Sequence, residues 1–292
     1  MSKDIIIGGG IAGLILGYFN PKVTIITENF GGQFSTPFPL GPKYIHKDRY
    51  STRFMKELNL NPEVKTIKIG FYYNKRLHNK NTIENREKYF KKTRSSEEIY
   101  KTSMSADLTE FEAFDIGPNE IIDILTKKIK NDILIKKVQK INYSDKTLKT
   151  ISSEKYNKLY VTIPKNIFLF LSGHPEIAKE FESHPTTFIL VSKKNKYILK
   201  GFEKFDYVYF SEPKYPYHRV TKVEQGYVFE YRGDKIAKMK GEIDRHVMYV
   251  GQLIENQNKM KFEDITFFGR YAEWKHGIKV NDLLKKIYTN KL

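Results

Sequence analysis

The chain has 292 residues and carries 51 Lys and Arg side chains against 34 Asp and Glu, a formal net charge of +17. This length suffices for one large domain or two modest ones, and an aromatic content of 14% argues against a disordered chain. The lack of cysteine excludes disulfides and thiolate metal sites, and no apolar run reaches the roughly 20 residues of a membrane span, so we expect a cytoplasmic protein without a membrane partner.

The chain begins with a predicted strand that leads into a glycine-rich turn. The β-branched run at residues 5–7 is typical of a buried parallel strand. The residues after it match the pattern G-x-G-x-x-G at Gly8, Gly10 and Gly13. We expect Gly8 to permit a tight turn, Gly10 to let a pyrophosphate approach the backbone, and Gly13 to let the next helix pack closely on the strand.

A predicted helix and a second strand complete this unit. The helix begins at Ile11 and Ala12, and the strand at residues 22–27 ends at Glu28. The free N–H groups and positive dipole at the start of a helix bind phosphate. Glu28 follows the first glycine by about 20 residues, where an acid accepts hydrogen bonds from ribose hydroxyls. The sequence therefore predicts a dinucleotide site that favours an unphosphorylated ribose.

A second pair of glycines follows Glu28, in the run NFGGQF that contains Asn29, Gly32, Gln33 and Phe34. This run resembles the second glycine motif of flavoproteins in the FAD-dependent amine oxidase and UDP-galactopyranose mutase superfamily. The resemblance implies FAD as the cofactor and these residues as part of its site. Those proteins usually have an arginine where this chain has Gln33, so one cation near the pyrophosphate is missing.

Two predicted strands in the middle of the chain extend the likeness. Residues 133–141 resemble the strand whose middle residue, here Val138, contacts adenine through its backbone. Residues 159–164 resemble the strand that precedes the crossover into the substrate domain. Both segments occur in the order that this superfamily has.

The segment at residues 265–276 resembles the closing flavin motif of the superfamily. The resemblance implies cofactor contacts by Gly269, Arg270, Lys275, His276, Gly277 and Ile278. A last helix beginning within residues 277–280 would present its positive end to the flavin and, together with Lys275, stabilise the anionic reduced form. The mutases have two tyrosines and an Asp-Met-Asp run in this region, and this chain has Trp274, His276 and residues 278–280 instead.

Two further segments resemble the mutases in particular. Residues 41–50 resemble a segment beside the flavin, with His46 in place of its second histidine and Lys43 in place of its first. Residues 215–220 (YPYHRV) resemble the segment that holds a sugar-nucleotide diphosphate, which implies a clamp formed by Tyr217 and Arg219. We therefore predict His46, Tyr217 and Arg219 as the catalytic residues.

The pattern and the resemblance together predict an α/β protein with a Rossmann-like FAD-binding domain interleaved with a smaller antiparallel-sheet (α+β) substrate domain. The FAD-binding domain comprises residues 1–40, 112–165 and 262–292, with an amphipathic helix at 119–130. Residues 41–111 form a flavin-side segment and a basic lid, the lid being the polar and irregular stretch 71–106. Residues 166–261 form the substrate domain, with short strands at 187–191, 207–210, 218–223 and 227–231.

Several functions agree with these features. The first is an FAD-dependent enzyme resembling the mutases, in which flavin N5 acts on a small anionic, nucleotide-like substrate. The second is an oxidoreductase that transfers hydride to FAD as amine oxidases do, with nucleic acid or a modified nucleotide among its candidate substrates. The third is a flavin fold that only binds. The histidine spacing matches no metal motif, so we predict no metal, and the dispersed lysines leave a nucleic-acid partner and the oligomeric state open.

Overall fold

The computed structural model describes residues 2–36, 38, 40, 44–93, 109–194, 201–254, 260 and 262–291. The strands in this part of the chain are β1 (Lys3–Gly10), β2 (Thr24–Gly31), β3 (Ile45–His46), β4 (Val64–Tyr73), β5 (Arg76–His78), β6 (Glu110–Phe114), β7 (Ile133–Ile135), β8 (Lys140–Asn142), β9 (Thr147–Lys149), β10 (Ser153–Val161), β11 (Ser183–Ser192), β12 (Tyr207–Phe210), β13 (Tyr217–Lys222), β14 (Gly226–Arg232), β15 (Glu242–Leu253) and β16 (Ile265–Phe267). The helices are α1 (Ile11–Phe19), α2 (Arg49–Glu57), α3 (Ile83–Thr93), α4 (Pro118–Lys128), α5 (Lys165–Leu171), α6 (Pro175–Lys179) and α7 (Val280–Tyr288). Within the described ranges, none of these helices is long and apolar enough to cross a membrane.

The first sheet has a parallel core with the strand order β7-β2-β1-β10-β16. Its strands come from three separated parts of the chain, and the first half of β10 also forms an antiparallel meander with β9 and β8. The sheet is buried on both faces, since Ile6 packs against α1, α2, α4 and α7 while Ile5 and Ile7 pack against α5. Burial on both faces explains the continuous apolar run at the start of the chain.

The second sheet has the order β15-β11-β14-β13-β12-β4-β6-β3, with β5 paired to β4. Its pairs are antiparallel except β12 with β4. One face carries an apolar cluster that includes Val208, Phe210 and Phe229. The predicted fold class is confirmed, because a Rossmann-like parallel sheet alternates along the chain with a mostly antiparallel one.

Several predicted elements agree with the structure. The predicted helix at 119–130 is α4, which begins with Pro118 at its first position, where the missing N–H costs nothing. The four short strands predicted between residues 187 and 231 lie within β11, β12, β13 and β14 or extend one residue beyond them. The second strand of the chain continues past Glu28 to Gly31, because its last residues pair with the end of β1.

The continuous strand predicted at residues 133–141 is wrong. The chain forms β7, an irregular stretch and then β8, because β7 pairs with β2 whereas β8 pairs with β9 and must change direction. Val138 lies in the irregular stretch and is 8% exposed.

The irregular lid predicted at residues 71–106 is wrong for residues 71–93. These residues complete β4 and form β5 and α3, and β4 takes its partners from the distant strands β12 and β6. Residues 94–106 lie outside the described part of the chain. Local composition gave no sign of these pairings, because they join segments far apart in the sequence.

Replacement of Gly13 by alanine tests how tightly α1 packs on β1. A Cβ at Gly13 would lie 1.9 Å from the Gly8 carbonyl oxygen, so we expect Gly13→Ala to lower the free energy of unfolding by about 3 kcal/mol in urea titrations. The control is Gly117→Ala, at an ordinary φ of −78°, where the new Cβ would meet only the end of the Glu120 side chain. Equal effects of the two substitutions would show that the close packing at Gly13 has no energetic importance.

Candidate active site

The glycine turn has the geometry that the sequence predicts. Gly8 has a φ of +110°, which favours glycine, and a Cβ at Gly13 would collide with the Gly8 carbonyl. Gly10 precedes α1 in extended conformation, and no side chain in the described part of the chain caps the helix there. The first N–H groups of α1 are therefore available to a negatively charged ligand.

The paired glycines lie directly against the glycine turn. Gly31 pairs with Gly10 across the ends of β2 and β1, and Gly32 follows it. A Cβ at Gly32 would lie 3.4 Å from the Gly10 Cα, and one at Gly10 would meet no atom of the described residues closer than the Gly32 Cα at 4.0 Å. Two backbone segments without side chains thus form one surface at the start of α1. This surface fits the diphosphate of a dinucleotide.

Two threonines that the sequence analysis missed fix the shape of this surface. The Gly9 N–H donates to Thr27 Oγ1 over 2.9 Å, and Thr27 Oγ1 donates to the Asn29 carbonyl over 2.5 Å. Thr162 Oγ1 donates to the Ile7 carbonyl over 2.8 Å on the other side of β1. A threonine at the end of a strand is too common to be recognised from the sequence as a contact of this kind.

The residues predicted for the adenosine end lie together at the edge of the first sheet. Glu28 is exposed and 3.9 Å from the ammonium of Lys137, a contact too long and too open to hold its carboxylate. Asn29 is also exposed, and Val138 is buried nearby against Ile26. Glu28 is therefore accessible to ribose hydroxyls.

The side chains of Ile11 and Phe34 both pack in the first core cluster. Ile11 is 9% exposed within it, and Phe34 packs against it while remaining partly exposed. Ile11 could therefore contact a ligand mainly through its backbone.

The closing segment lies beside the start of α1, as the resemblance implies. Gly269 has a φ of +108°, and a Cβ on it would lie 2.9 Å from the Ala12 Cβ. The Tyr271 hydroxyl donates to Gln33 Oε1 over 2.6 Å. Gln33, which stands where the related proteins have an arginine, therefore links the paired glycines to the closing segment.

The charged guanidinium of Arg270 contacts the neutral imidazole ring of His276. Arg270 Nη2 lies 2.7 Å from His276 Nδ1 and 3.4 Å from the Gly251 carbonyl of β15. Burial, followed by the charge of Arg270, lowers the pKa of His276 to about 2. His276 is therefore neutral near pH 7 and accepts a hydrogen bond from the guanidinium.

The neighbours of this pair differ in their exposure. Trp274 is 3% exposed, and its Nε1 donates to the Ile254 carbonyl over 2.8 Å, so it is a buried anchor. Lys275 is exposed, whereas burial lowers the pKa of Lys279, the residue directly before α7. Gly277 and Ile278 precede the helix, which begins at Val280. The half-buried cation at the start of this helix is thus Lys279 rather than Lys275.

The predicted clamp of Tyr217 and Arg219 does not form. A bulge at His218 separates them, so that Tyr217 lies opposite Tyr231 whereas Arg219 lies opposite Glu230. The Tyr217 ring packs among the aromatic residues of the second sheet's apolar cluster, and Arg219 lies on the other face. The clamp implied by the resemblance needs both side chains on one face, and the extra residue of the bulge places them on opposite faces.

Glu230, which the sequence analysis also missed, is the partner of Arg219. Its Oε2 accepts from Arg219 Nε over 2.8 Å and Nη2 over 2.5 Å, and its Oε1 lies 3.1 Å from His218 Nε2. Burial alone would raise the pKa of Glu230, but the charge of Arg219 and the hydrogen bonds keep it well below its usual value. The charge of Arg219 is thus compensated within the protein.

His46 is the last residue of β3 and lies beside the start of α7. Its ring stacks on Phe111 with the ring centres 4.1 Å apart, and its carbonyl accepts from Asn281 Nδ2 over 2.8 Å. Burial, followed by the charge of Lys279, lowers the pKa of His46 to about 4. His46 is therefore a neutral, oriented polar group near pH 7.

Tyrosines surround Arg219 on its face of the second sheet. The Arg219 guanidinium lies 5.9 Å from the centre of the Tyr209 ring, and the Tyr89 ring packs edge-on against Tyr209 at 5.1 Å. Tyr207 and Tyr44 stack beside them at 6.5 Å. This aromatic face was not predicted, because its four tyrosines come from three separate parts of the chain.

Helix α3 brings Tyr89 to this face and is fastened by a buried lysine. Lys92 Nζ donates to the carbonyls of Phe210, Glu212 and Tyr217 over 2.7 to 3.1 Å. Burial lowers the pKa of Lys92 to about 7. In the ranges that the structure describes, no group of three or more His, Asp or Glu side chains is placed to hold a metal ion.

Comparisons with known proteins find similarity only at the level of structure. No protein-family model matches the sequence, and a search of curated proteins found no match. A crystal structure of reduced UDP-galactopyranose mutase superimposes with a TM-score of 0.69, covering 99% of this chain and 96% of the mutase, at 13% identity. The chain has the fold of that mutase.

Two other solved structures are similar over nearly their whole length. An oxidoreductase from Methanosarcina mazei superimposes with a TM-score of 0.63 at 13% identity, with 99% of both chains covered. L-proline dehydrogenase from P. horikoshii gives a TM-score of 0.57 at 11% identity, with 99% of this chain and 94% of the dehydrogenase covered. The resemblance predicted from short motifs is confirmed at the level of the fold.

The buried pair of Arg219 and Glu230 can be tested through stability. Glu230→Gln leaves a buried guanidinium without its carboxylate, and we expect a loss of about 3 to 5 kcal/mol in the free energy of unfolding at pH 7. Because folding lowers the pKa of Glu230, its contribution is present above the ordinary value of 4.5 and declines as the pH falls below it. Urea titrations at pH 7 and pH 3 should therefore show a smaller difference from the wild type at pH 3.

The control is Glu84→Gln, which removes an exposed pair with Lys88. We expect it to leave the free energy of unfolding nearly unchanged at either pH, because an exposed ion pair contributes little. A Glu230→Gln variant as stable as the wild type at pH 7 would contradict the importance of the buried pair.

Proposed function

We propose that the protein is an FAD-dependent enzyme and that it works as an oxidoreductase. The observation that supports FAD as the cofactor is the surface without side chains that Gly10 and Gly32 form at the uncapped start of α1. From there the closing segment, in which Gly269 lies against Ala12 and Arg270 contacts the Gly251 carbonyl of β15, leads toward the second sheet. A long dinucleotide with a planar ring at one end suits such a path.

The residues fit FAD in a definite order along this path. The N–H groups of the first turn of α1 would bind the pyrophosphate, and Glu28 would bind the ribose of the adenosine. Arg270, His276 and His46 would lie toward the other end, between the two sheets. When bound, FAD supplies the acceptor for a hydride or electron pair, and the protein supplies orientation, exclusion of water and the surrounding field.

The substrate side of the site favours oxidation over sugar-nucleotide rearrangement. A diphosphate clamp needs a free guanidinium, but the charge of Arg219 is compensated by Glu230 and Tyr217 lies on the opposite face. The tyrosines beside Arg219 belong to a buried core cluster and offer no further cation for a diphosphate.

The cofactor part of the proposal is tested with Gly10→Ala. The new Cβ meets no atom of the described residues closer than 4.0 Å, so the protein should fold with an unchanged melting temperature. Because the methyl group would occupy the surface that faces the pyrophosphate, we expect FAD affinity to fall at least about tenfold in fluorescence titrations. Gly117→Ala serves as the control and should bind FAD as the wild type does. A wild-type protein that binds no FAD would refute the proposal.

The choice of chemistry is tested with the FAD-loaded protein. We expect one or more members of a panel of amines and amino acids to bleach the oxidised flavin under anaerobic conditions. The reduced protein should neither interconvert UDP-galactopyranose with UDP-galactofuranose nor yield a sugar–flavin adduct after treatment with cyanoborohydride. Turnover of these sugar nucleotides would instead establish the mutase function and overturn the oxidoreductase assignment.

A further inference from the structure

Two partly buried arginines, Arg219 and Arg270, differ in whether a carboxylate compensates their charge. Arg219 has a carboxylate partner in Glu230. Arg270 contacts only neutral groups among the described residues with which it forms hydrogen bonds, namely His276 and the Gly251 carbonyl. Its Nε is buried and has no hydrogen-bond partner in the described part of the chain.

A guanidinium in this situation indicates a negatively charged ligand. A buried N–H group without an acceptor is costly, and a partly buried charge without a counter-charge adds to the cost. Folded proteins keep such groups mainly where a ligand completes the set of contacts. Arg270, unlike Arg219, therefore has a guanidinium that can face an anion.

Bound FAD would carry negative charge at its pyrophosphate and, when reduced, on its ring. The position of Arg270 indicates which of the two this residue faces. Gly269 lies against Ala12 in the first turn of α1, close to the surface assigned to the pyrophosphate. The Arg270 side chain leads away from that surface, because its Nη2 reaches the Gly251 carbonyl on β15 of the second sheet. The guanidinium thus lies toward the ring end of the path rather than the phosphate end.

His276 fixes the orientation of this guanidinium. Arginine has no lone pair to accept a hydrogen bond, so Nη2 must be the donor and His276 Nδ1, the nearer ring nitrogen at 2.7 Å, the acceptor. The proton of the neutral imidazole therefore lies on Nε2. The lowered pKa of His276 agrees with this assignment, and a neutral acceptor leaves the charge of Arg270 undiminished.

We propose that His276 is a positioning residue that holds Arg270 as the cation stabilising the anionic form of bound flavin. This inference rests on the proposed FAD binding. In its contact with the guanidinium, His276 acts as an acceptor only.

The affinity of the bound flavin for sulfite reports on the electrostatic field that the protein creates at the ring. The sulfur lone pair of sulfite forms a bond to N5 of oxidised flavin, and the displaced electron pair of the ring moves to the N1–C2 carbonyl edge, so no oxidant or reductant is needed. The adduct bleaches the flavin absorbance, and its dissociation constant reports how well the protein stabilises negative charge on the ring. The measurement requires no knowledge of the substrate.

The decisive variants are His276→Phe and His276→Gln in the FAD-loaded protein. His276→Phe keeps a ring but removes the acceptor, and we expect the dissociation constant for sulfite to rise about tenfold, since hydrogen bonds to charged groups are among the stronger ones. His276→Gln retains an acceptor and should lie within about threefold of the wild type. Both variants should still bind FAD, and sulfite titrations are made at saturating FAD so that a change in FAD affinity does not enter the sulfite dissociation constant.

Two further variants complete the experiment. The matched control is His78→Phe, since His78 stacks on Tyr73 in the second sheet and contacts neither arginine of the site in the described contacts. Arg270→Lys keeps the charge without the planar fork and should weaken sulfite binding as His276→Phe does. This second variant tests the proposal independently if His276→Phe does not fold.

The outcomes separate this inference from the proposed function. Failure of the wild type to bind FAD refutes the proposed function. Binding of FAD with no sulfite adduct, or with equal sulfite affinity in the wild type, His276→Phe and Arg270→Lys, overturns the role of His276 alone. Loss of FAD affinity with unchanged sulfite affinity also overturns it, because Arg270 would then serve the pyrophosphate.

Discussion

The contact between Gly13 and the Gly8 carbonyl determines how the rest of the site is arranged. No side-chain atom fits between α1 and β1 there, so the helix lies close to the strand and its first N–H groups point past the strand end. This position lets Gly32 approach Gly10 and Gly269 approach Ala12 without intervening side chains. A surface suited to a long dinucleotide follows from one short distance between helix and strand.

The second sheet supplies the electrostatic character of the site. Its buried carboxylate, Glu230, binds Arg219 and His218 and so removes one positive charge from the space between the sheets. The charge of Arg270 has no carboxylate among its described hydrogen-bond partners, which are neutral groups. Of the two arginines of the site, the one in the closing segment is therefore the one whose charge is not compensated by such a partner.

The net charge of +17 has little bearing on this arrangement. Many of the described lysines lie on exposed faces, some paired with Asp or Glu in contacts such as that of Lys146 with Asp264. Such pairs contribute little to stability and do not define a binding surface. The cations that matter for the proposed chemistry, Arg219 and Arg270, are two of 51, and their importance comes from burial rather than number.

The sequence by itself determined the glycine turn of the first sheet, the exposed acid Glu28 and the parallel fold. These features depend on local properties, namely the φ angles that glycine permits, the absence of a side chain and the length of an apolar run. Only the tertiary structure decided that Glu230 compensates the charge of Arg219, that Tyr217 lies on the opposite face of the second sheet from Arg219, and that β4 pairs with β12. These facts depend on strand register and on one bulged residue, and a shift of one residue reverses every side chain of a strand. The sequence therefore indicated where a dinucleotide binds, whereas the folded chain decided which charges remain free to act on it.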